Sequence, residues 1–350
     1  MKTASTEKKN IRHLSLSELE HYFTALGEKK FRVKQVWEWL WQKHARSFED
    51  MTNLSKELRA RLAETFDFPA LTVDATQYSA DGTVKSRFRT ADHHLVEGVL
   101  IPTDERKTAC VSSQIGCSLS CKFCATGYME RKRNLDYAEI YDEVVLINEQ
   151  SERVYGKRLS NIVFMGMGEP LLNYRNVLAA IERITAPDGL AMSPRRITVS
   201  TAGVAKMIRQ LGDDKVKFKL ALSLHAANDR KRNEIMPINQ TNNIKALVEA
   251  LNYFYQQTGN EITFEYILFK NFNDSRQDAD ELVKIYRQVP ADLVNIIEYN
   301  PIDQALFAKP DEDTIQQFMQ HLEKNRVNAR LRRSRGKDID AACGQLANKQ

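Results

Sequence analysis

From Thr108 onward the sequence switches six times between short runs rich in β-branched residues and longer stretches of helical period. Candidate strands lie near residues 108–113, 162–165, 197–200, 216–223, 262–269 and 293–298, and helical patterns begin near Asp136, Arg175, Gly203, Asn243, Ser275 and Asp311. The first helix carries a D-x-x-E start, Asp136 to Glu139, of the capping-box kind. Six strand-helix units in a row predict an α/β fold with a parallel sheet, and right-handed crossovers curl such a sheet into a partial (β/α)6 barrel. Ligands meet these folds at the carboxyl ends of the strands, so the residues just after each strand are the first candidates for chemistry.

The chain before Thr108 reads differently. Residues 1–10 are a polar leader, expected to be mobile, with no apolar core of a secretory signal. Residues 11–68 show helical period only and form a small helical N-terminal domain. Trp37 and Trp41, four apart beside Val36 and Leu40, pack that domain, whereas Trp39 falls off their face and is a candidate for base stacking. Residues 69–104 form a short β connector, with Asp81-Gly82 as its hairpin turn. The main domain spans 105–335 and a tail follows at 336–350.

Five cysteines are an odd number, and four of them, Cys110, Cys117, Cys121 and Cys124, crowd one short segment while Cys343 sits in the tail. That is not a secreted disulfide framework. No stretch approaches the roughly 18 apolar residues of a membrane span, and free thiols point to the cytoplasm. The run GCSLSCKFCATG sets three thiolates at C-x-x-x-C-x-x-C on the loop after the first barrel strand. Such a triad suits three corners of a [4Fe-4S] cluster with one iron open for S-adenosyl-L-methionine. Zinc is the structural alternative, with His93 or His94 as its fourth ligand. Downstream, Gly168 and Glu169 of GMGEP follow the second strand and could bind the ammonium and ribose of that cofactor. Ser200, the run Ser223, Leu224, His225, and Asn300 stand at later strand ends and offer further polar partners.

The net charge is +5, with a pI near 8.8. Basic residues gather at 29–34, 131–133, 195–196, 230–232 and 330–337. This clustering fits a polyanionic substrate, nucleic acid above all. A rival reading of the same features is a non-catalytic RNA-binding module with a structural metal site.

Several runs together resemble the RlmN/Cfr family of radical S-adenosylmethionine RNA methyltransferases: VEGVLIP (96–102), CVSSQIGCSLSCKFCATG (110–127), FMGMGEPLLN (164–173), SPRRITVSTAG (193–203), SLH (223–225), MPIN (236–239), YNP (299–301) and RGKDIDAACGQL (335–346). The resemblance spans nearly the whole chain. It implies methylation of carbon 2 of adenine 2503 in 23S ribosomal RNA and of adenine 37 in tRNA, with Cfr-like methylation of carbon 8 as the alternative; Pro170 in GEPLLN favours carbon 2. It implies a [4Fe-4S] cluster on Cys117, Cys121 and Cys124, and two S-adenosylmethionine molecules per methylation. Cys343 would take a methyl group from the first molecule as an S-methylcysteine intermediate. A radical derived from the second would activate that methyl for addition to the base. Glu97 would accept the proton leaving the base, and Cys110 would resolve the protein-RNA adduct through a transient disulfide with Cys343. It further implies a cellular electron donor, not identified by the sequence, and a monomer. Cys343 follows the last expected strand, so the tail must fold back over the barrel mouth, and we expect it to be mobile without substrate.

Overall fold

The computed structural model describes residues 8–305 and 307–349; most of the predicted leader, residues 1–7, lies outside the described residues. A ten-stranded sheet organises the molecule. Its strands are β1 (Thr72–Tyr78), β2 (Val84–Arg89), β3 (Leu95–Pro102), β4 (Lys107–Cys110), β5 (Asn161–Phe164), β6 (Ile197–Thr201), β7 (Lys219–Ser223), β8 (Ile262–Leu268), β9 (Leu293–Glu298) and β10 (Ala329–Arg332). Their order in space is their order in the chain. β1 to β4 pair antiparallel and β4 to β10 parallel. The connector strands therefore continue the barrel sheet, and the hairpin turns at Asp81-Gly82 with Gly82 at φ +87°.

Among the described residues, ten α-helices accompany the sheet: α1 (Leu16–Ala25), α2 (Phe31–Trp41), α3 (Lys56–Thr65), α4 (Tyr137–Tyr155), α5 (Tyr174–Thr185), α6 (Ala205–Asp213), α7 (Asp229–Ile235), α8 (Ile244–Thr258), α9 (Arg276–Tyr286) and α10 (Glu312–Lys324). The six expected strand-helix units are present. A seventh parallel strand, β10, follows them, so the sheet is an open partial barrel. The expected box starts α4: Asp136 accepts from Ala138 N at 2.9 Å and Glu139 accepts from Asp136 N at 2.8 Å. None of the described helices is long and apolar enough to cross a membrane.

The tryptophan face of α2 does more than pack its own domain. Trp41 is buried and meets Tyr137 and Tyr141 of α4, while Arg183 of α5 lies 5.3 Å from the Trp37 ring and 5.7 Å from that of Trp41. Trp37 Nε1 also donates to Asp188 at 2.7 Å. Arg12, just before α1, is buried and ties Asp142 of α4 to the carbonyl of Pro69. The helical unit is thus fastened to the barrel by cation-π and charge-assisted contacts. Trp39 donates to Asn53 and lies under Lys43, so its ring is partly covered.

Candidate active site

All five cysteines line one cavity at the carboxyl ends of the parallel strands. It has about 1130 Å³ of empty space, part of it open to solvent, and its wall includes Cys110, Cys117, Cys121, Cys124 and Cys343. Cys110 ends β4, the triad occupies the following loop, and Cys343 arrives on the tail. A small apolar cluster around Phe123, Ile235, Met236, Ile267 and Phe269 backs this wall.

No cysteine is in a disulfide. Burial pushes the triad thiols up, Cys117 to about 11, and the neighbouring thiols raise Cys121 further. A cation of high charge reverses that bias, because coordination deprotonates a thiol outright. Among the described residues no three His, Cys, Asp or Glu side chains are grouped to hold a single metal ion. A cubane needs no such convergence, since each thiolate meets a different iron. His93 and His94 stand at the turn between β2 and β3 and are not among the cavity-lining residues. The triad therefore fits the protein ligands of a [4Fe-4S] cluster.

The polar wall is built by strand ends. Gly168 takes φ +92°, and a Cβ there would lie 2.5 Å from Gln114 Cβ, so only glycine fits. Glu169 lines the cavity, but its carboxylate already accepts from Leu171 N at 3.0 Å and Ala202 N at 2.7 Å. Ser200 and Ser223 line it with their hydroxyls 3.3 Å apart. His225 presents an imidazole pushed down to about 3 by burial, with the Arg232 charge adding, so it is neutral at pH 7. Its Nδ1 accepts from Ile267 N, which assigns the hydrogen to Nε2. Leu224 is buried behind the wall and contributes its carbonyl to Arg232 at 3.0 Å. Asn300 does not line the cavity; its Nδ2 donates to the Cys343 carbonyl at 3.2 Å.

The tail is docked over the cavity. Ala125 N donates to Gly344 O at 2.7 Å and Thr126 Oγ1 to Leu346 O at 2.6 Å, which stitches the Cys343 segment to the residues following Cys124. Lys337 reaches Glu298 at 2.8 Å and Asp338 caps Ser79 and Ala80 at the hairpin. Polar anchors along its length supply the docking that a terminal segment otherwise lacks. Glu97 is buried outside the main cavity, where its Oε2 accepts from Ala347 N and Asn348 N.

Two lining residues were not evident from the sequence. Glu265 of β8 is buried, and burial pushes its carboxyl up, with Arg332 and Asn295 opposing; Asn295 Nδ2 donates to it at 2.6 Å. An acidic residue inside the apolar run ITFEYIL was the available signal. Arg332 of β10 lies 3.5 Å from Glu265 and faces both Cys110 and Cys343 electrostatically. It was hidden in a basic run that read as surface.

That run and its neighbours need correction as RNA contacts. Arg232 is fully buried, Lys231 is paired with Asp278, Arg330 donates to Asn295, Arg333 bridges Glu298 and Glu312, and Arg335 donates to the carbonyl of Pro102. Of these, Arg232 is fixed inside the fold, whereas Arg330 and Arg333 keep exposed side chains beside their partners. Lys29, Lys30, Lys34, Arg131, Arg195, Arg196 and Arg230 remain exposed.

Comparison with known proteins agrees with this geometry. The family of ribosomal RNA large subunit methyltransferase N-terminal domains matches residues 9–67, and the radical SAM superfamily matches residues 111–283. A probable dual-specificity RNA methyltransferase RlmN of Cytophaga hutchinsonii is 58% identical, covering 100% of this chain and 96% of that protein. A dual-specificity RNA methyltransferase RlmN of Geotalea uraniireducens is 44% identical, covering 97% of each. The crystal structure of a radical SAM methyltransferase from Sphaerobacter thermophilus superposes with a TM-score of 0.91 at 39% identity, covering 97% of this chain and 100% of that one.

Proposed function

The chain belongs to the RlmN family of radical S-adenosylmethionine RNA methyltransferases, and we propose that it methylates carbon 2 of an adenine in 23S ribosomal RNA and in tRNA through Cys343. One observation carries the reading: the five cysteines line a single cavity. Three of them are the cluster ligands Cys117, Cys121 and Cys124, one is the methyl carrier Cys343, and one is the resolving thiol Cys110.

When bound, the cluster supplies the electron that cleaves S-adenosylmethionine. Gly168, Glu169, Ser200, Ser223, Leu224, His225 and Asn300 form the wall and backing against which that molecule is held. Carbon 2 of adenine is electron-poor and does not attack an electrophilic methyl group, so the methyl must be carried and activated by the protein. Cys343 accepts it by nucleophilic displacement, which requires the thiolate. Cys343 keeps some exposure to solvent, yet the cavity wall around its sulfur pushes the thiol up while the Arg332 guanidinium opposes that shift. Arg332 therefore favours the nucleophile. After the methyl carbon has bonded to the base, Glu97 accepts the departing proton. Cys110, its thiol pushed up to about 12 by burial, then loses its proton and attacks the Cys343 sulfur; the sulfur–carbon bond breaks, its electron pair passes to the carbon, which takes up a proton to become the methyl group, and the disulfide stays on the protein as the RNA leaves. The exposed cations at 29–34 and 195–196 contact the RNA phosphates. The enzyme acts as a cytoplasmic monomer fed by a cellular electron donor.

The test is an anaerobic assay with reconstituted cluster, reductant, S-adenosylmethionine and each RNA, read by nucleoside mass spectrometry. We expect 2-methyladenosine on both RNAs, none with Cys343→Ala, and RNA covalently attached to protein with Cys110→Ala. Recovery of 8-methyladenosine would establish the carbon-8 alternative, and full activity of Cys343→Ala would remove the carrier step.

A further inference from the structure

One face of the antiparallel strands carries charge where it meets the tail. Lys85 and Arg87 on β2 and Glu97 on β3 point to the same side, and Arg87 pairs in register with Glu97. Lys85 and Glu97 are almost fully buried, at 5% and 1% side-chain exposure, with Lys85 Nζ 3.5 Å from Glu97 Oε1. The tail covers all three. Lys85 donates to Asp340 O at 3.4 Å, Glu97 Oε2 accepts from Ala347 N at 2.9 Å and Asn348 N at 3.0 Å, and Arg87 donates to Asn348 O at 3.4 Å and Lys349 O at 3.3 Å. These contacts fall on either side of Cys343.

We propose that Lys85 and Glu97 form a reversible latch that seats the C-terminal tail and thereby positions the Cys343 sulfur in the cavity. The latch deepens the carrier reading of Cys343 and rests on it for its purpose. An apolar cover would hold the tail at least as well, since burying an ion pair brings little net stability. It would also leave an apolar patch in water whenever the tail lifted. A polar latch can open without that cost, because water replaces its hydrogen bonds. Glu97 Oε1 accepts no hydrogen bond in the closed position and faces the Lys85 ammonium at 3.5 Å. Glu97 holds the tail outside the main cavity, so any contact of its carboxylate with the base requires the latch to open. Once protonated it would hold two backbone N–H groups less strongly than the anion does. Uptake of the base proton would therefore delay re-closure of the open latch at the stage when the Cys343 sulfur must meet Cys110. Lys85 and Glu97 act here as positioning residues.

The test uses the full-length reconstituted protein and the variants Lys85→Met, Glu97→Ala and Glu97→Gln. Hydrogen exchange is followed in the peptide that contains Ala347 and Asn348, and S-methylation of Cys343 is measured by mass spectrometry with S-adenosylmethionine and reductant but no RNA. That half-reaction involves no base proton. We expect exchange in that peptide to rise about tenfold or more in Lys85→Met and Glu97→Ala, with Cys343 methylation slowed several-fold. Glu97→Gln, which keeps an acceptor oxygen but not the charge and so stands in for the protonated carboxyl, should raise exchange by less than Glu97→Ala does, slow Cys343 methylation correspondingly less, and lose RNA turnover. Unchanged exchange in both Lys85→Met and Glu97→Ala would overturn the latch. If Glu97→Ala fails to fold, Lys85→Met decides alone. Absence of Cys343 methylation in the unmodified protein would instead defeat the carrier reading, and the exchange measurement would still judge the latch.

Discussion

Replacing Arg232 with methionine should unseat the polar wall of the cavity without touching a cysteine. Arg232 is fully buried on α7, and its guanidinium donates to Leu224 O at 3.0 Å, Asn239 Oδ1 at 2.7 Å, Ala202 O at 2.5 Å and Ser223 O at 3.2 Å. Three of those acceptors are carbonyls just beyond or at the ends of β6 and β7, the segments that present Ser200, Ser223 and His225. Burial pushes the guanidinium down to about 10 while Cys121 and Asp229 oppose the shift, so it remains charged at pH 7. Measured from arginine's ordinary 12.5, keeping that charge buried costs about 3 kcal/mol. Four hydrogen bonds to a charged donor, at about 1.5–3 kcal/mol each, outweigh it. Methionine matches the length, strands four acceptors, and should destabilise the protein by about 3–5 kcal/mol. With an unfolding entropy of about 2.1 cal/mol/K per residue, the melting temperature should fall by about 4–7 °C. Differential scanning fluorimetry reads the stability, and equilibrium dialysis of S-adenosylmethionine against the reconstituted protein reads the wall. Arg232→Lys, a point charge that satisfies fewer carbonyls, should fall between. A melting temperature within about 1 °C of the parent together with unchanged cofactor affinity would refute the role given to Arg232.

Three other outcomes are expected. Gly98→Ala would place a Cβ 2.6 Å from Glu143 Oε1, 3.0 Å from Ile147 Cδ1 and 3.1 Å from Phe88 Cε2, so it should cost about 1–3 kcal/mol in chemical unfolding; an unchanged midpoint would contradict the packing described. At Glu298, burial opposes the charge, but Lys309 and Lys337 win and hold the carboxyl at about 2, below its ordinary 4.5. A depressed folded value means stability present above pH 4.5 and lost as pH falls from there toward 2. Glu298→Gln should flatten that acid limb in a fluorescence titration, and an identical limb would count against the triple ion pair. Arg195→Ala with Arg196→Ala should weaken binding of tRNA and lower the salt slope by about 1 for each phosphate no longer neutralised; an unchanged slope would remove this pair from the RNA contact.

The barrel was legible because its strands and helices have different periods, and each expected helix began within two residues of its observed start. β10 was not, because the charge of the run ARLRR conceals a strand whose Arg330 and Arg332 pair with Asn295 of β9 and Glu265 of β8. The same blindness affected Arg232. A sequence reports that cations are clustered but not which of them meets a buried carbonyl, since the fold alone decides which acceptors lie within reach. The grouping of Cys117, Cys121 and Cys124 on one loop could be read from their spacing and the strand before them, since they are neighbours in the chain. Cys110 and Cys343 are separated by most of the chain, and only resemblance to a family connected them before the fold brought both to one cavity. Glu97 shows the opposite limit: the resemblance supplied a role for it, while its tail contacts were invisible until the backbone of residues 347 and 348 was in place.

The placement of the two distant cysteines also determines which of them can move. Cys110 ends β4, hydrogen-bonded between β3 and β5, and displacing it breaks a ladder on both sides. Cys343 lies in an irregular segment, joined to its surroundings by single hydrogen bonds such as those of Ala125 and Asn300. Opening that segment costs a few local contacts, while moving β4 costs the sheet. On the proposed chemistry, the carrier sulfur must approach the cofactor, then the base, then Cys110. Only the partner on the tail can make those successive approaches. The open barrel permits this arrangement: β10 is an edge strand, and the chain leaving it crosses to the hairpin at Asp81, where Gly336 N is bound at 2.9 Å.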